Sequence, residues 1–327
     1  MTGKKNEKKS YESCSGCGVC LLSCPVWHRT HTMSFTRKAR AKAMQGGATY
    51  EEIAHSIDSC LLCGACEVAC PEGLGLVDLN LHQRQELNRS RTAYPYWYPK
   101  EGPETDRNAK NPKVASLLLP GLMLGKNQEV CKAIIKHLGE NVKTALAHDD
   151  GQDIARAMEA GLPVPQKRIE SFILLLRPAR LLIVAEGWLQ HLLRKWLPGN
   201  KIIGLGEALL SFAYLRSMIG PEDLYVIESR GYHAGHRRLV LFYDRLRRET
   251  GCQTNLDLQR TAFSTGASSL QGRHDLLAAG CIENAKRILK GKRVNRIVVE
   301  DLADAEAFRL AADIPVMHLG LLDREKI

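Results

Sequence analysis

Eight of the eleven cysteines in this 327-residue chain fall between Cys14 and Cys70, in two runs that repeat one spacing. The first reads Cys14-Ser-Gly-Cys17-Gly-Val-Cys20-Leu-Leu-Ser-Cys24-Pro25 and the second Cys60-Leu-Leu-Cys63-Gly-Ala-Cys66-Glu-Val-Ala-Cys70-Pro71. Thiolates are soft ligands. Three of them, two residues apart in a tight loop, cap one iron-sulfur cube, while a fourth followed by proline crosses to the other cube. On that rule cluster I, a [4Fe–4S] centre, takes Cys14, Cys17, Cys20 and Cys70, and cluster II takes Cys60, Cys63, Cys66 and Cys24. Gly16, Gly18 and Gly64 let the backbone approach the sulfurs, and Pro25 and Pro71 fix the chain beyond each crossing ligand. Zinc also accepts four thiolates, but its ribbons use cysteine pairs separated by a longer loop. A zinc-held structural adaptor is therefore the competing reading.

The other candidates are weaker. Cys131, Cys252 and Cys281 stand alone, and an odd count argues against a disulfide framework. Cys131 and Cys281 sit in helical stretches and read as small core hydrophobes. Asp149 and Asp150 form a pair that could meet a hard cation, though adjacent loop carboxylates read first as solvated. His28 and His31, like His233 and His236, are three residues apart without a third ligand nearby, which suits surface or capping histidines; His28 could also donate to a cluster sulfur. Gly204-Leu-Gly206-Glu lacks the third glycine of a dinucleotide fingerprint, and Ser264, Ser268 and Ser269 lack a nucleophile-elbow frame. The arginines from Arg237 to Arg248 and the basic run Lys286–Arg296 read as solvated helix faces, with an anionic protein partner as the next reading. No nucleic-acid module is recognisable.

These residues need elements to hold them. A polar, Lys-rich tail over residues 1–10 precedes the cysteine segment, 11–93, which reads as short helices linked by cysteine loops: Phe35–Gln45 stopped by Gly46 and Gly47, then a capping box at Thr49 and Glu52 opening a second helix. Residues 94–113, rich in proline and aromatics, form a linker whose aromatics pack on a neighbouring surface. From 114 to 327 short β-branched or Leu-rich runs alternate with amphipathic stretches, the pattern of an α/β domain with parallel strands. Strands are expected at Ala115–Leu119, Val142–Ala147, Arg180–Ala185, Lys201–Ile203, Leu224–Glu228, Thr254–Leu258, Arg296–Val299 and Val316–His318, and the expected helices include Lys126–Leu138 and Arg273–Leu289. Two units, about 115–200 and 220–320, share a strand-helix-strand order that suggests internal duplication. The fold class is thus α followed by α/β.

Composition excludes several classes. With 44% apolar and 25% charged residues the chain is globular rather than disordered. Its longest apolar stretches are broken by Arg177, Pro178 and Arg180, too short for a transmembrane helix, and the basic N-terminus leads into cysteines rather than a secretory signal. The cytoplasm is the expected location. The formal charge of +10 assumes neutral thiols, and two thiolate-bound cubes would draw it down by about four.

The paired motifs, the 35 residues between Cys24 and Cys60, and the phrase Cys60-Leu-Leu-Cys-Gly-Ala-Cys-Glu-Val-Ala-Cys-Pro71 resemble the helical dicluster ferredoxin domain of the heterodisulfide reductase C-subunit family. The iron-sulfur subunits of glycolate oxidase and anaerobic glycerol-3-phosphate dehydrogenase share that domain. The resemblance implies two [4Fe–4S] clusters, a flavoprotein or heterodisulfide-reductase-like partner, and a protein that is not transmembrane but can dock to a membrane complex. The remainder resembles a pair of cysteine-rich "CCG" domains without their cysteines. At the matching places the chain has Leu119-Pro-Gly-Leu122, His148-Asp-Asp-Gly151, Ile183–Trp188, Ser229-Arg-Gly-Tyr-His233, Ser264-Thr-Gly-Ala267 and Val298-Val-Glu-Asp301. Without those thiols the half is expected to bind no metal and to serve as a docking scaffold, with no catalytic residue. On this view a fragment ending near Asn111 keeps all the iron. The alternative is a catalytic oxidoreductase with a substrate pocket around Gly121, Asp150, Gly231 and Gly266.

Overall fold

The structure, a computed structural model, describes residues 10–99, 111–112, 114–139, 143–257 and 259–322. The expected tail up to residue 9, linker residues 100–110 and 113, and the ends of two expected strands at Val142 and Leu258 lie outside the described residues.

Short helices at Val19–Leu22, Pro25–Thr30, Arg37–Gln45, Ala54–Asp58 and Ala65–Val68 alternate with the cysteine loops, and a longer one, Leu76–Ser90, closes the segment. Pro25 opens its helix at a position where a missing N–H costs nothing. Thr36 Oγ1 caps the next by accepting the Ala39 N–H at 3.2 Å. The capping box forms, with Thr49 N–H donating to Glu52 Oε2 at 2.8 Å and Glu52 N–H donating to Thr49 Oγ1 at 3.3 Å, but a turn intervenes before the helix begins at Ala54. The helix Leu76–Ser90 was not legible in the sequence because its buried face mixes Val77, Leu81 and Leu87 with Asn80, Gln83 and Arg84.

Among the described residues beyond the linker, the strands are parallel and fall into two four-stranded sheets. The first contains β1 (Ser116–Leu119), β2 (Thr144–Leu146), β3 (Leu181–Val184) and β4 (Lys201–Gly204) in the order β2-β1-β3-β4. The second contains β5 (Asp223–Val226), β6 (Gln253–Thr254), β7 (Arg296–Val299) and β8 (Val316–His318) in the order β6-β5-β7-β8, the same order counted from its own first strand. β1 and β5 are buried throughout, as strands covered by helices on both faces must be. The fold is helical followed by α/β.

One expected helix is found nearly in place and another is split. Lys126–Leu138 forms as Gln128–Gly139, starting where Asn127 Oδ1 accepts the Val130 N–H at 3.1 Å, with a separate short helix, Gly121–Gly125, before it. Arg273–Leu289 becomes Leu270–His274 and Cys281–Leu289, because Asp275 Oδ1 accepts the N–H groups of Leu277 and Ala278, and Gly280, at φ 69°, turns the chain. Trp97 from the linker is buried with Ala160, Leu162 and Leu270, while Tyr94 and Tyr96 stay exposed. Among the described residues no helix is long and apolar enough to cross a membrane.

Candidate metal centre

Cys14, Cys17, Cys20 and Cys70 line one recess, of about 580 Å³ with its mouth included. Cys24, Cys60, Cys63 and Cys66 line a second, of about 400 Å³ measured the same way. Among the described residues no three His, Cys, Asp or Glu side chains converge on a point that would hold one metal ion, so each quartet surrounds a space. Cys17 is exposed, whereas Cys63 and Cys66 are buried.

The thiols fit an iron-sulfur group chemically. Burial pushes Cys20 up to about 11 and Cys63 up to about 12, and it also raises Cys66. Thiols crowded this way ionise only against a metal's charge. Cys60 is the exception: burial raises it, but the guanidiniums of Arg37, Arg40 and Arg84 outweigh burial and bring it to about 7.

Two of those guanidiniums stand between the quartets. Arg37 and Arg40, on the helix Arg37–Gln45, line both recesses and are 7% and 3% exposed. Arg37 Nη2 donates to Cys60 Sγ at 3.5 Å, and Arg40 Nη1 is anchored on the Ser56 carbonyl at 2.6 Å. The same helix sends Lys42 Nζ and Gln45 Nε2 to the Cys14 carbonyl, each at 3.1 Å. Gly16 sits at φ 81°, a backbone conformation that residues with a Cβ rarely adopt. The helix was legible in sequence, but the placement of its two arginines between the quartets was not; their i, i+3 spacing on one face was the available signal.

The second cysteine loop is held from both sides. Arg84 Nη2, on the helix Leu76–Ser90, donates to the Cys60 carbonyl at 2.6 Å, and from the α/β half Arg230 Nη2 donates to Leu61 O at 2.8 Å and His233 Nδ1 to Cys63 O at 2.7 Å. The tautomer of His233 follows from geometry. Its Nε2 accepts the Ala262 N–H at 3.1 Å, so Nδ1 carries the proton, and burial lowers the imidazole to about 4, keeping it neutral. These bonds hold Leu62 at φ 51°, a conformation rare for a side-chain-bearing residue. Arg230 is itself fixed by a buried two-oxygen pairing with Glu159 at 2.7 and 2.9 Å.

The weaker candidates resolve differently. His28 does not reach a sulfur; its Nε2 is 2.7 Å from the Leu22 carbonyl and its ring packs on Phe263. His233 and His236 do not share a ligand, since His236 Nε2 lies 3.2 Å from Arg260 O. The expectation of solvated Asp149 and Asp150 fails. Asp149 is buried against Arg168 at 2.8 Å, and burial, with the Glu186 charge, pushes Asp150 up to about 7. Gly121 packs on Glu186 and Gly266 on Leu61, so the chain's own side chains fill the space beside two members of the alternative substrate pocket. Gly206 abuts the Glu300 carboxylate, which repels the phosphate a dinucleotide would bring. Cys131, Cys252 and Cys281 are buried among apolar side chains.

Residues 10–74 match the family model described as a 4Fe-4S dicluster domain. This segment is therefore a ferredoxin-type iron-sulfur domain with an electron-transfer role, and its clustered cysteines, Cys14–Cys24 and Cys60–Cys70, bind [4Fe–4S] iron-sulfur. Comparison of the chain with curated proteins and with solved structures finds no match.

Proposed function

We propose that the chain is an electron-transfer subunit with two [4Fe–4S] clusters, one on Cys14, Cys17, Cys20 and Cys70 and the other on Cys24, Cys60, Cys63 and Cys66. It passes single electrons between a flavoprotein or heterodisulfide-reductase-like partner and an acceptor. The observation that carries this reading is the lining of two adjacent recesses by crossed quartets, each taking three thiols from one run and one from the other. A single ion needs thiolates gathered to a point, whereas a cube holds them around a volume. Bound there, the clusters supply one-electron storage.

The chain supplies the rest. Arg37 and Arg40 place positive charge between the quartets, which offsets the thiolates in a dry interior and favours the reduced state. The exposed Cys17 makes the first quartet the partner-facing end, and Lys38 beside Gly18 with Lys42 beside Gly16 gives that rim a sign suited to an acidic partner. Residues 11–93 form the iron-sulfur domain, 94–113 a connection, and 114–327 an α/β scaffold of two like units that screens the second quartet from water through Arg230 and His233. Free thiols in this number suit the reducing cytoplasm.

Anoxically prepared protein is expected to contain about eight iron and about eight acid-labile sulfide per chain. Zinc near two per chain with little sulfide would overturn the reading. Arg37→Gln is expected to lower the reduction midpoints by tens of millivolts, where ~60 mV is a tenfold change for one electron. Redox titration followed by EPR checks this, and unchanged midpoints would remove Arg37 from the tuning role.

A further inference from the structure

Three buried polar atoms without a hydrogen-bond partner, Gln190 Nε2, Gln190 Oε1 and Glu207 Oε2, belong to side chains lining one recess between the two sheets. The recess encloses about 330 Å³, mouth included, and its walls come from the C-terminal ends of strands in both sheets: Val184 of β3, Gly204 of β4, Glu228 after β5 and Glu300 after β7. Gln190, on the helix Gly187–Trp196, is 0% exposed. A fully buried amide with neither atom paired is a state that folding ordinarily excludes unless something else meets it.

The walls supply acceptors and negative charge. Gly231 N–H is already committed to Glu228 Oε2 at 2.6 Å, and the hydroxyls of Tyr225 and Tyr243 are committed to Glu300 Oε1, each at 2.6 Å. Arg238 pairs with Glu207 Oε1 and leaves Oε2 free. Among the described residues, those lining the recess include no lysine or arginine. Burial, with the Asp301 charge and against that of Arg230, raises Glu228 to about 8, and burial raises Glu300 to about 7, so a cation beside them favours their ionised forms. Gly231 keeps the space clear, since a Cβ there would strike Gln190 Oε1. The carboxylates are not gathered tightly enough for one metal ion. The required partner is a cation that presents directional N–H donors.

We propose that this recess binds a primary ammonium group, as free ammonium or as the amino end of a small amine. Gln190 Oε1 and Glu207 Oε2 accept its N–H groups, Glu228 and Glu300 neutralise its charge, and Gln190 Nε2 donates to an oxygen on the ligand or to a water beside it. The half-buried Ala185, Gly204 and Glu207 form the mouth. The proposal does not depend on the iron-sulfur reading.

The test uses the full chain, with thermal unfolding and calorimetric titration in ammonium, methylammonium and ethanolamine chlorides, against tetramethylammonium chloride, which has no N–H, at equal ionic strength. At least one of the first three should raise the melting temperature and bind, and tetramethylammonium should do neither. The one that binds best separates free ammonium from an amine. Gln190→Met, which keeps the volume and removes the unpaired amide, should raise the melting temperature without ligand and weaken binding by about tenfold or more, as loss of a hydrogen bond to a charged group does. If Gln190→Met does not fold, Glu207→Gln at the half-buried mouth carries the same forecast of weakened binding. Ammonium salts that act no differently from tetramethylammonium would overturn the proposal and assign the recess to a buried water. Full methylammonium binding by either variant would overturn it too.

Discussion

Cys24→Ser is expected to damage the cluster bound mainly by the second cysteine run, and Cys70→Ser the cluster bound mainly by the first. Cys24 lines the recess of Cys60, Cys63 and Cys66, while Cys70 lines that of Cys14, Cys17 and Cys20. A serine hydroxyl is a harder and far less acidic ligand than a thiol, so each variant should hold roughly half its iron firmly, about four atoms per chain, and lose or distort the rest. The two sites should differ in EPR, because the first quartet includes the exposed Cys17 and the second the buried Cys63 and Cys66. The crossed assignment fails if Cys24→Ser leaves the buried centre intact and perturbs the exposed one.

Breaking the Arg230–Glu159 pair should have the largest effect on stability. Both side chains are buried, and Glu159 also accepts the Leu270 N–H at 2.8 Å. Arg230→Met leaves that carboxylate without its main partner, at a cost of about 3–5 kcal/mol. In a chain of this size that lowers the melting temperature on the order of 10 °C. Adding Glu159→Gln removes the stranded charge, keeps an acceptor for Leu270, and should recover most of the loss. A structural pair would do no more, but Arg230 also holds the Leu61 carbonyl inside the second cysteine loop. Both variants should therefore release iron from the second quartet faster than from the first, measured by chelator kinetics with EPR. Equal release from both would confine Arg230 to stability. The same contacts revise the expectation for a fragment ending near Asn111. Without Arg230 and His233 the loop around Cys63 loses two of its carbonyl partners, so such a fragment should keep the first cluster and hold the second poorly.

The sequence by itself determined what depends on neighbours along the chain. Thiol type and spacing are local, so the two ligand runs and their iron-sulfur chemistry could be read directly from Cys14 to Pro71. The alternation of short apolar runs with amphipathic stretches is also local, and β7 and β8 lie at Arg296–Val299 and Val316–His318, the residues that pattern marks. Only the tertiary structure decided what surrounds those elements. Arginine is usually exposed, yet Arg37, Arg40, Arg84 and Arg230 are each buried by contacts that periodicity does not encode. Arg230 is 169 residues from Leu61, and His233 is 170 from Cys63, distances over which composition and local pattern carry no pairing information. The same holds for the carboxylates past the strand ends. Parallel pairing brings the ends of β3, β5 and β7, and with them Glu186, Glu228 and Glu300, to the interior between the two sheets. There each carboxylate must find a hydrogen-bond donor or keep a proton, because water is no longer available to solvate it.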